Sequence, residues 1–499
     1  MVFQKVPTRV EPGLPMITPA PAVIPAPAPA EPAESTAPEP VTVRAAPVDP
    51  ADPGPRLDGV RIVMVNWRDP WQSTAGGAEE YAWRISRHLA ERGAIVTFLT
   101  SREPHQARVE TKDGIVIRRM GGKFTVYPRV MAWLALWRRE YHLAFDCMNG
   151  IPFFSRLVLR RRTRVVSVVH HVHDLQFNAY FPAPMAWFGR FLESAVASRV
   201  YRKCTTVTVS ESSRAAMRDK LGWRAPIEVI HNGCPPVTLH HPQTSPSAQA
   251  SSDVTLHHPQ TSPSAQASSD VTLHHPQTSP SAQSVSAAPP ELAAAAPAHD
   301  AAPALVSLGR LVVQKRVSRV VDLARTLEDD HPGLRVHIIG RGPEGEHLAE
   351  QVGRDGLGDR VDLHGFLSEE DKNSVLASCH LHVTASEFEG WGLTVIEAAR
   401  LGVPTVAYDV DGLRDSVRDG ETGWLVREGE TLEDVVSRAL KELSDPRRAE
   451  EVRRACRAWA AQFTWEASGA RMTRLVAAEL SLGTPVPASD PAAGKKAKM

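Results

Sequence analysis

The sequence predicts an α/β protein of two doubly wound domains facing a central cleft. Three observations carry that expectation. Apolar runs of strand length alternate with helical stretches from about residue 56 to 235, and the alternation starts again at 303. Between the two halves lies a tract with no periodic apolar face. The chain of 499 residues, 42% hydrophobic and of zero net charge, has room for two or three ordinary globular domains. Strands that alternate with helices form parallel sheets covered on both faces, and ligands bind in the crevices of such folds.

In the first half, VRIVMVN from Val60 reads as a buried strand. GGAEEYAWRISRHLAERG follows as a helix, with Ala78, Ala82, Ile85 and Leu89 on one face and Gly93 as its stop. Further strands are expected at AIVTFLT, RVVSVV, CTTVTVS and PIEVIHNG. In the second half, ALVSLG from Ala304 is a strand, and a helix is expected near Val317–Leu327. Strand LRVHIIG, helix EGEHLAEQV, strand RVDLHG, a helix over Ser368–Ser378 and strands HLHVTAS, PTVAYD and GWLV complete the pattern.

The flanking tracts differ. Residues 1–55 are Ala/Pro/Glu-rich, too poor in apolar surface to fold. The unit VTLHHPQTSPSAQASSD begins at Val237, recurs at Val254 and starts again at Val271, a period of 17 residues. That unit is too short and too polar for a solenoid, so 236–302 reads as a disordered linker. Its His-His pairs lack a folded surrounding that would orient them on a metal. Residues 303–465 make the second domain, 466–483 a last helix that crosses back to the first, and 484–499 a disordered tail. The five scattered cysteines (Cys147, Cys204, Cys234, Cys379, Cys456) contain no CxxC pair, which suits a reducing compartment without disulfides or zinc. No apolar h-region marks a signal peptide, no uncharged run reaches a membrane span, and no basic excess suggests nucleic acid.

Five motifs carry chemistry. GRGPEG at Gly340–Gly345 matches the spacing of a dinucleotide fingerprint. However, it follows the second strand of its domain, and Pro343 and Glu344 stand where pyrophosphate needs bare backbone; a tight turn is the better reading. DVD at Asp409–Asp411 resembles an acidic metal-nucleotide motif but reads as a turn. GRLVVQKR places Arg310 and Lys315 at a strand end, where two cations neutralise a diphosphate or simply face solvent. HHVHD at His170–Asp174 brings three histidines to another strand end, where all three are expected to face the cleft beside an acid, a candidate for catalysis. In EFEGWGLTVIEA, Gly390 and Gly392 would let the backbone approach a phosphate at a helix start, with the N–H groups of Leu393 and Thr394 as donors. Glu397 would meet ribose hydroxyls, and Glu389 the attached sugar.

Together these motifs resemble the GT4 family of GT-B-fold, group 1 type, retaining glycosyltransferases. The family's E-x7-E motif stands as Glu389 to Glu397, its GRL…K motif as Gly309, Arg310, Leu311 and Lys315, and its first-loop glycine pair as Gly76 and Gly77. VIHNG and FTWEAS resemble its domain-crossing segment and last helix. The resemblance covers about 56–235 and 303–480. It implies two Rossmann-like domains and a nucleotide-diphosphate sugar as donor and co-substrate, with neither cofactor nor metal. Arg310 and Lys315 would hold the diphosphate, with Gly77, Gly390, Gly392, Leu393 and Thr394 around it, and Glu397 the ribose. His173 would be the catalytic histidine, with His171 second, beside Glu389 at the transferred sugar. The implied product is a glycan, lipid-linked or small-molecule glycoside of retained anomeric configuration. The family often has Gly-Gly where Asp411-Gly412 stands.

Two other functions fit the fold: a nucleotide-sugar epimerase, which needs no acceptor site, and a non-catalytic nucleotide-sugar-binding protein. The expected compartment is the cytoplasm. FPAPMAWFGRFLESAVASRVYRK mixes aromatic with basic residues, and the basic RLVLRRRTR lies nearby. They read either as helix packing or as a peripheral contact with the inner face of the membrane.

Overall fold

The structure, a computed structural model, describes residues 52–173, Phe177, 182–237 and 302–481. The Ala/Pro-rich segment before residue 52, the repeats, Asp174 and the tail beyond 481 lie outside the described residues. Residues 52–55, assigned above to the leading segment, lie against the last helix, where Asp52 pairs with Arg474 at 2.6 Å.

The first sheet contains β1 (Arg61–Val65), β2 (Ile95–Thr100), β3 (Val109–Lys112), β4 (Ile115–Arg119), β5 (Leu143–Met148), β6 (Arg164–Val169), β7 (Thr206–Thr208) and β8 (Ile227–Val229). Their order is β3-β4-β2-β1-β5-β6-β7-β8, parallel throughout except for the β3–β4 hairpin. The second contains β9 (Ala304–Leu308), β10 (Arg335–Ile339), β11 (Val361–Gly365), β12 (Leu381–Thr384), β13 (Thr405–Tyr408) and β14 (Gly423–Val426). It runs β11-β10-β9-β12-β13-β14, all parallel. Both are doubly wound, as expected. The order reverses between β1 and β5 in one sheet and between β9 and β12 in the other. At such reversals the loops leaving the carboxyl ends part and open a crevice.

Strand β5 is buried at every residue, as a strand covered on both faces must be. Its apolar run LAFDCM, the β3–β4 hairpin and the helix Val126–Leu136 are elements the sequence reading did not single out. The helix Gly77–Glu91 buries Tyr81, Ala82, Ile85 and Leu89. At its start the expected face is corrected: Glu79 is buried instead of Ala78, because its carboxylate accepts from the Gly76 N–H (2.8 Å) and from Arg68 (3.1 Å).

The chain passes between the domains at 231–237 and again at 463–465. The two passages lie side by side: the Cys234 N–H donates to the Phe463 carbonyl at 3.0 Å, and a Cβ on Gly233 would collide with the Trp465 backbone. The helix Trp465–Glu479 then starts under a Thr464 cap, whose hydroxyl accepts from the Ala467 N–H at 3.1 Å. It packs on Gly77–Glu91, and Ser468 donates to the His231 carbonyl at 2.7 Å. All five cysteines are free and buried. No helix among the described residues is long and apolar enough to cross a membrane.

Candidate functional site

The loops that follow β9 and β12 stand at the second reversal point. After β9 come Gly309, the exposed Arg310 and a short 3-10 turn, Val313–Lys315. This loop is backed by the GRGPEG turn. A Cβ on Gly340 would collide with the Gly309 carbonyl, and one on Gly342 with the Leu311 carbonyl. The fingerprint spacing is thus accounted for by packing against the loop that carries Arg310.

Lys315 Nζ contacts Glu389 Oε1, and Ser386 Oγ donates to the same carboxylate oxygen at 3.4 Å. Arg316 ties the loop to the β12 loop through the Ala385 carbonyl (2.9 Å) and the Glu387 carboxylate (3.2 Å). Trp391 is buried against His231 and Phe463, with ring centroids 4.3 and 4.9 Å away. Gly392 has φ +80°, a left-handed conformation that favours glycine, and opens the helix Leu393–Arg400 without a side-chain cap. The helix start therefore keeps orphan N–H donors and partial positive charge for a ligand.

Glu397, one turn along that helix, is already engaged. Lys372 Nζ lies 3.7 Å from its carboxylate, and also 2.7 Å from Glu369. Burial raises the Glu397 pKa, opposed by the Lys372 charge. Burial also works against the Lys372 ammonium, but the two carboxylates prevail and raise its pKa.

Across the cleft, the β6 end divides the three histidines. His170 is a core residue, which corrects the reading that all three face the cleft. Its ring meets Tyr81 edge-on at 5.1 Å, and burial, helped by the His173 charge, pushes its pKa down to about 4. The His170 carbonyl accepts from Ser213 Oγ at 3.1 Å, and a Cβ on Gly390 would stand 2.5 Å from that oxygen. The close approach that Gly390 permits is therefore to the other domain's backbone. His171 and His173 lie with ring centroids 4.1 Å apart. Both the backbone N–H and Nδ1 of His173 are 3.0 Å from Glu193 Oε1. A carboxylate only accepts, so Nδ1 carries a proton, and in the neutral ring Nε2 presents a lone pair. Glu193 is 2% exposed and sits in a π-helical turn, Leu192–Val196.

The two halves meet at Arg310 and the two glycine-led helix starts. Arg310 Nη1 is 3.5 Å from the Thr74 carbonyl, and a Cβ on Gly76 would lie 3.5 Å from Arg310 Nε. A Cβ on Gly77 would be 4.0 Å from the Leu393 side chain. Further out, Ser212 donates to Asp415 from its backbone N–H (2.7 Å) and its hydroxyl (2.8 Å), and accepts from the Gly412 N–H (2.7 Å). Asp409 and Asp411 are held by Arg414 at 2.5 and 3.3 Å, as befits a turn. Glu193, Lys372 and Ser212 are polar residues at the site that no motif singled out.

Comparison with known proteins places these features in a family. The model of Glycosyltransferase Family 4 matches residues 75–236, and that of Glycosyl transferases group 1 matches residues 291–459. Alpha-D-kanosaminyltransferase of Streptomyces kanamyceticus is 33% identical over 143 residues, 28% of this chain and 37% of that protein. The GDP-mannose-dependent alpha-(1-6)-phosphatidylinositol monomannoside mannosyltransferase of Mycolicibacterium smegmatis is 30% identical over 182 residues, 35% of this chain and 47% of that protein. The chain spans less than half the length of these curated relatives. Among solved structures, sucrose-phosphate synthase from Thermosynechococcus elongatus has a TM-score of 0.62 at 18% identity, covering 85% of this chain and 100% of that one. Anabaena HepE in complex with UDP and glucose has a TM-score of 0.53 at 17% identity, covering 85% and 99%. At these identities the likeness to solved structures is one of fold.

Proposed function

This chain belongs to the group 1 and family 4 glycosyltransferases, and on that premise we propose that it moves a sugar from a nucleoside-diphosphate sugar to an acceptor hydroxyl, with retention and without a bound metal. The observation that carries this reading is the meeting of Arg310, Lys315 and the uncapped helix start at Gly392 with the Gly76–Gly77 helix start across the cleft. Two cations and open N–H groups suit a leaving diphosphate, whose charge grows as the glycosidic bond breaks. They supply what a divalent cation would otherwise supply.

In the proposed reaction the bond from C1 to the phosphate oxygen breaks. A bond from C1 to the acceptor oxygen forms on the same face, and the acceptor proton passes to the departing phosphate oxygen. Incoming diphosphate competes with Glu389 for Lys315. The displaced carboxylate is then free to accept from sugar hydroxyls. His173 Nε2 accepts from a hydroxyl on the acceptor or sugar side. Glu397, next to Lys372, receives the ribose hydroxyls.

The test is a thermal-shift screen of UDP-, GDP- and ADP-sugars on the full chain, followed by single-turnover transfer with the donor selected. A donor should stabilise the protein and release its nucleoside diphosphate when an acceptor is added. Stabilisation by none of them would overturn the reading.

The acceptor we propose is a glycan or a lipid-linked glycan met at the inner face of the membrane from the cytoplasm. The mycobacterial relative is named for a phosphatidylinositol mannoside. Support comes also from the helix Ala183–Phe191, which exposes Met185, Trp187, Phe188 and Phe191, and from the exposed basic run Arg160–Arg162. Cosedimentation with anionic vesicles should be salt-sensitive and weakened by Trp187→Ser with Phe188→Ser. Absence of binding at low salt would remove the membrane from the proposal.

A further inference from the structure

We propose that His337, Asp362 and His364 form a binding site for one divalent transition-metal cation of the zinc type, at the edge of the second sheet. The three side chains come from the adjacent strands β10 and β11. Register pairs His337 with Asp362, and a bulge follows: Ile338 pairs with Leu363, but Ile339 pairs with Gly365. His364 is the extra residue of that bulge. A bulge re-aims a side chain, and this one brings His364 Nε2 to 3.1 Å from His337 Nδ1. The same Nδ1 lies 3.2 Å from Asp362 Oδ2. All three ligand atoms lie within 4.8 Å of one another.

Those separations match a coordination sphere. Zinc bonds to histidine nitrogen and carboxylate oxygen are about 2.0–2.2 Å long, so ligand atoms at tetrahedral angles stand about 3.3 Å apart. Two imidazoles and one carboxylate are a borderline-soft set, suited to zinc or cobalt and poor in the oxygens that calcium or magnesium require. The three groups are only partly exposed, so they are held in place yet reachable. The competing partner is Arg335, 2.9 Å from Asp362. Its side chain is half exposed, and such a pair contributes little, so it yields readily to a dication. None of the three is among the proposed donor-binding residues, and no step of the proposed transfer uses a metal there.

The His-His pairs of the repeats are a second place in the chain where a metal could settle, so the experiment compares variants of the full chain. Metal-stripped protein is titrated with Co2+, followed by visible absorption, and bound Zn2+ is counted by equilibrium dialysis. The parent should bind one equivalent more than His337→Ala or His364→Ala. Affinity at that site should fall by more than the roughly 10–100-fold that loss of an outer-shell partner causes. Arg335→Gln should bind several-fold tighter, a gain that misfolding would not give. Equal stoichiometry and affinity in parent and histidine variants, or no saturable cobalt band in the parent, would overturn the site and leave a hydrogen-bonded cluster. Neither readout depends on glycosyl transfer.

Discussion

Replacing Glu193 with glutamine isolates what the carboxylate behind His173 does. Glutamine keeps an oxygen that accepts from both the His173 backbone N–H and Nδ1, each now 3.0 Å away, and removes the charge. Hydrogen bonds to a charged acceptor contribute about 1.5–3 kcal/mol, and neutral ones about 0.5–1.5 kcal/mol. The difference, about 1–2 kcal/mol, matters to rate only when His173 gains positive charge in the transition state. Glu193→Gln should then slow single-turnover transfer roughly 5–30-fold. His173→Ala should slow it roughly a hundredfold or more, the range of a positioned catalytic group. Calorimetric titration of the nucleoside diphosphate should give parental affinity for both variants, because Arg310 and Lys315 lie on the other side of the cleft. The double variant should be no slower than His173→Ala alone. If Glu193→Gln transferred at the parental rate, or slowed the His173→Ala background by the same factor, the carboxylate would be a structural partner only.

Other perturbations separate the remaining roles. Lys315→Ala should lower both diphosphate affinity and the single-turnover rate, because charge on the leaving group grows in the transition state; an affinity loss alone would mean uniform binding. Glu397→Ala should weaken nucleotide binding roughly 10–100-fold through the ribose at a parental transfer rate, while Lys372 keeps Glu369; an unchanged affinity would assign Glu397 to the fold. His170 titrates near 4 when folded against 6.5 ordinarily, so its contribution is fully present above 6.5 and is lost as pH falls toward 4. That loss is about 1.4 kcal/mol per pH unit, or about 3 kcal/mol across the window. Urea unfolding at pH 7 and 5 should show it, and His170→Phe should flatten part of the slope; His382, pushed down to about 3 mainly by burial, supplies another part. An equal slope in the variant would refute the assignment.

What the sequence revealed depended on range. The strand-to-helix turns were legible because glycine spacing and apolar periodicity are local: Gly309, Gly340 and Gly392 stand at loop positions that local pattern predicts. The separation from Glu389 to Glu397 places both carboxylates around one helix start, so their proximity was also legible. Glu193 was not, because it meets His173 only through a π-helical turn some twenty residues on. Lys372 reaches Glu397 from another helix, and a lone lysine among acids reads as a solvated face. His170 failed for a related reason: alternation along β6 sends it into the core beside Tyr81, and the apolar run RVVSVV conceals which face continues. The short β3 and β4 mix the two faces, with Val109 exposed and Arg119 buried, so no alternation stands out over their length.

The paired passages at Cys234 and Phe463 resemble the leaves of a door hinge. One strand joining two bodies permits them to swivel, slide and tilt. Two strands bonded to each other remove the swivel and the slide, and leave a tilt about the line through the pair. A tilt about that line would bring Arg310 and Gly76 together along a single arc, their alignment set by the backbone. The contacts between the two halves at Ser212, Asp415 and Gly412 are polar, and water replaces such partners at little net cost. Polar contacts that wet easily, on a frame held by paired passages, would let the proposed donor enter and its nucleotide leave without disturbing either sheet.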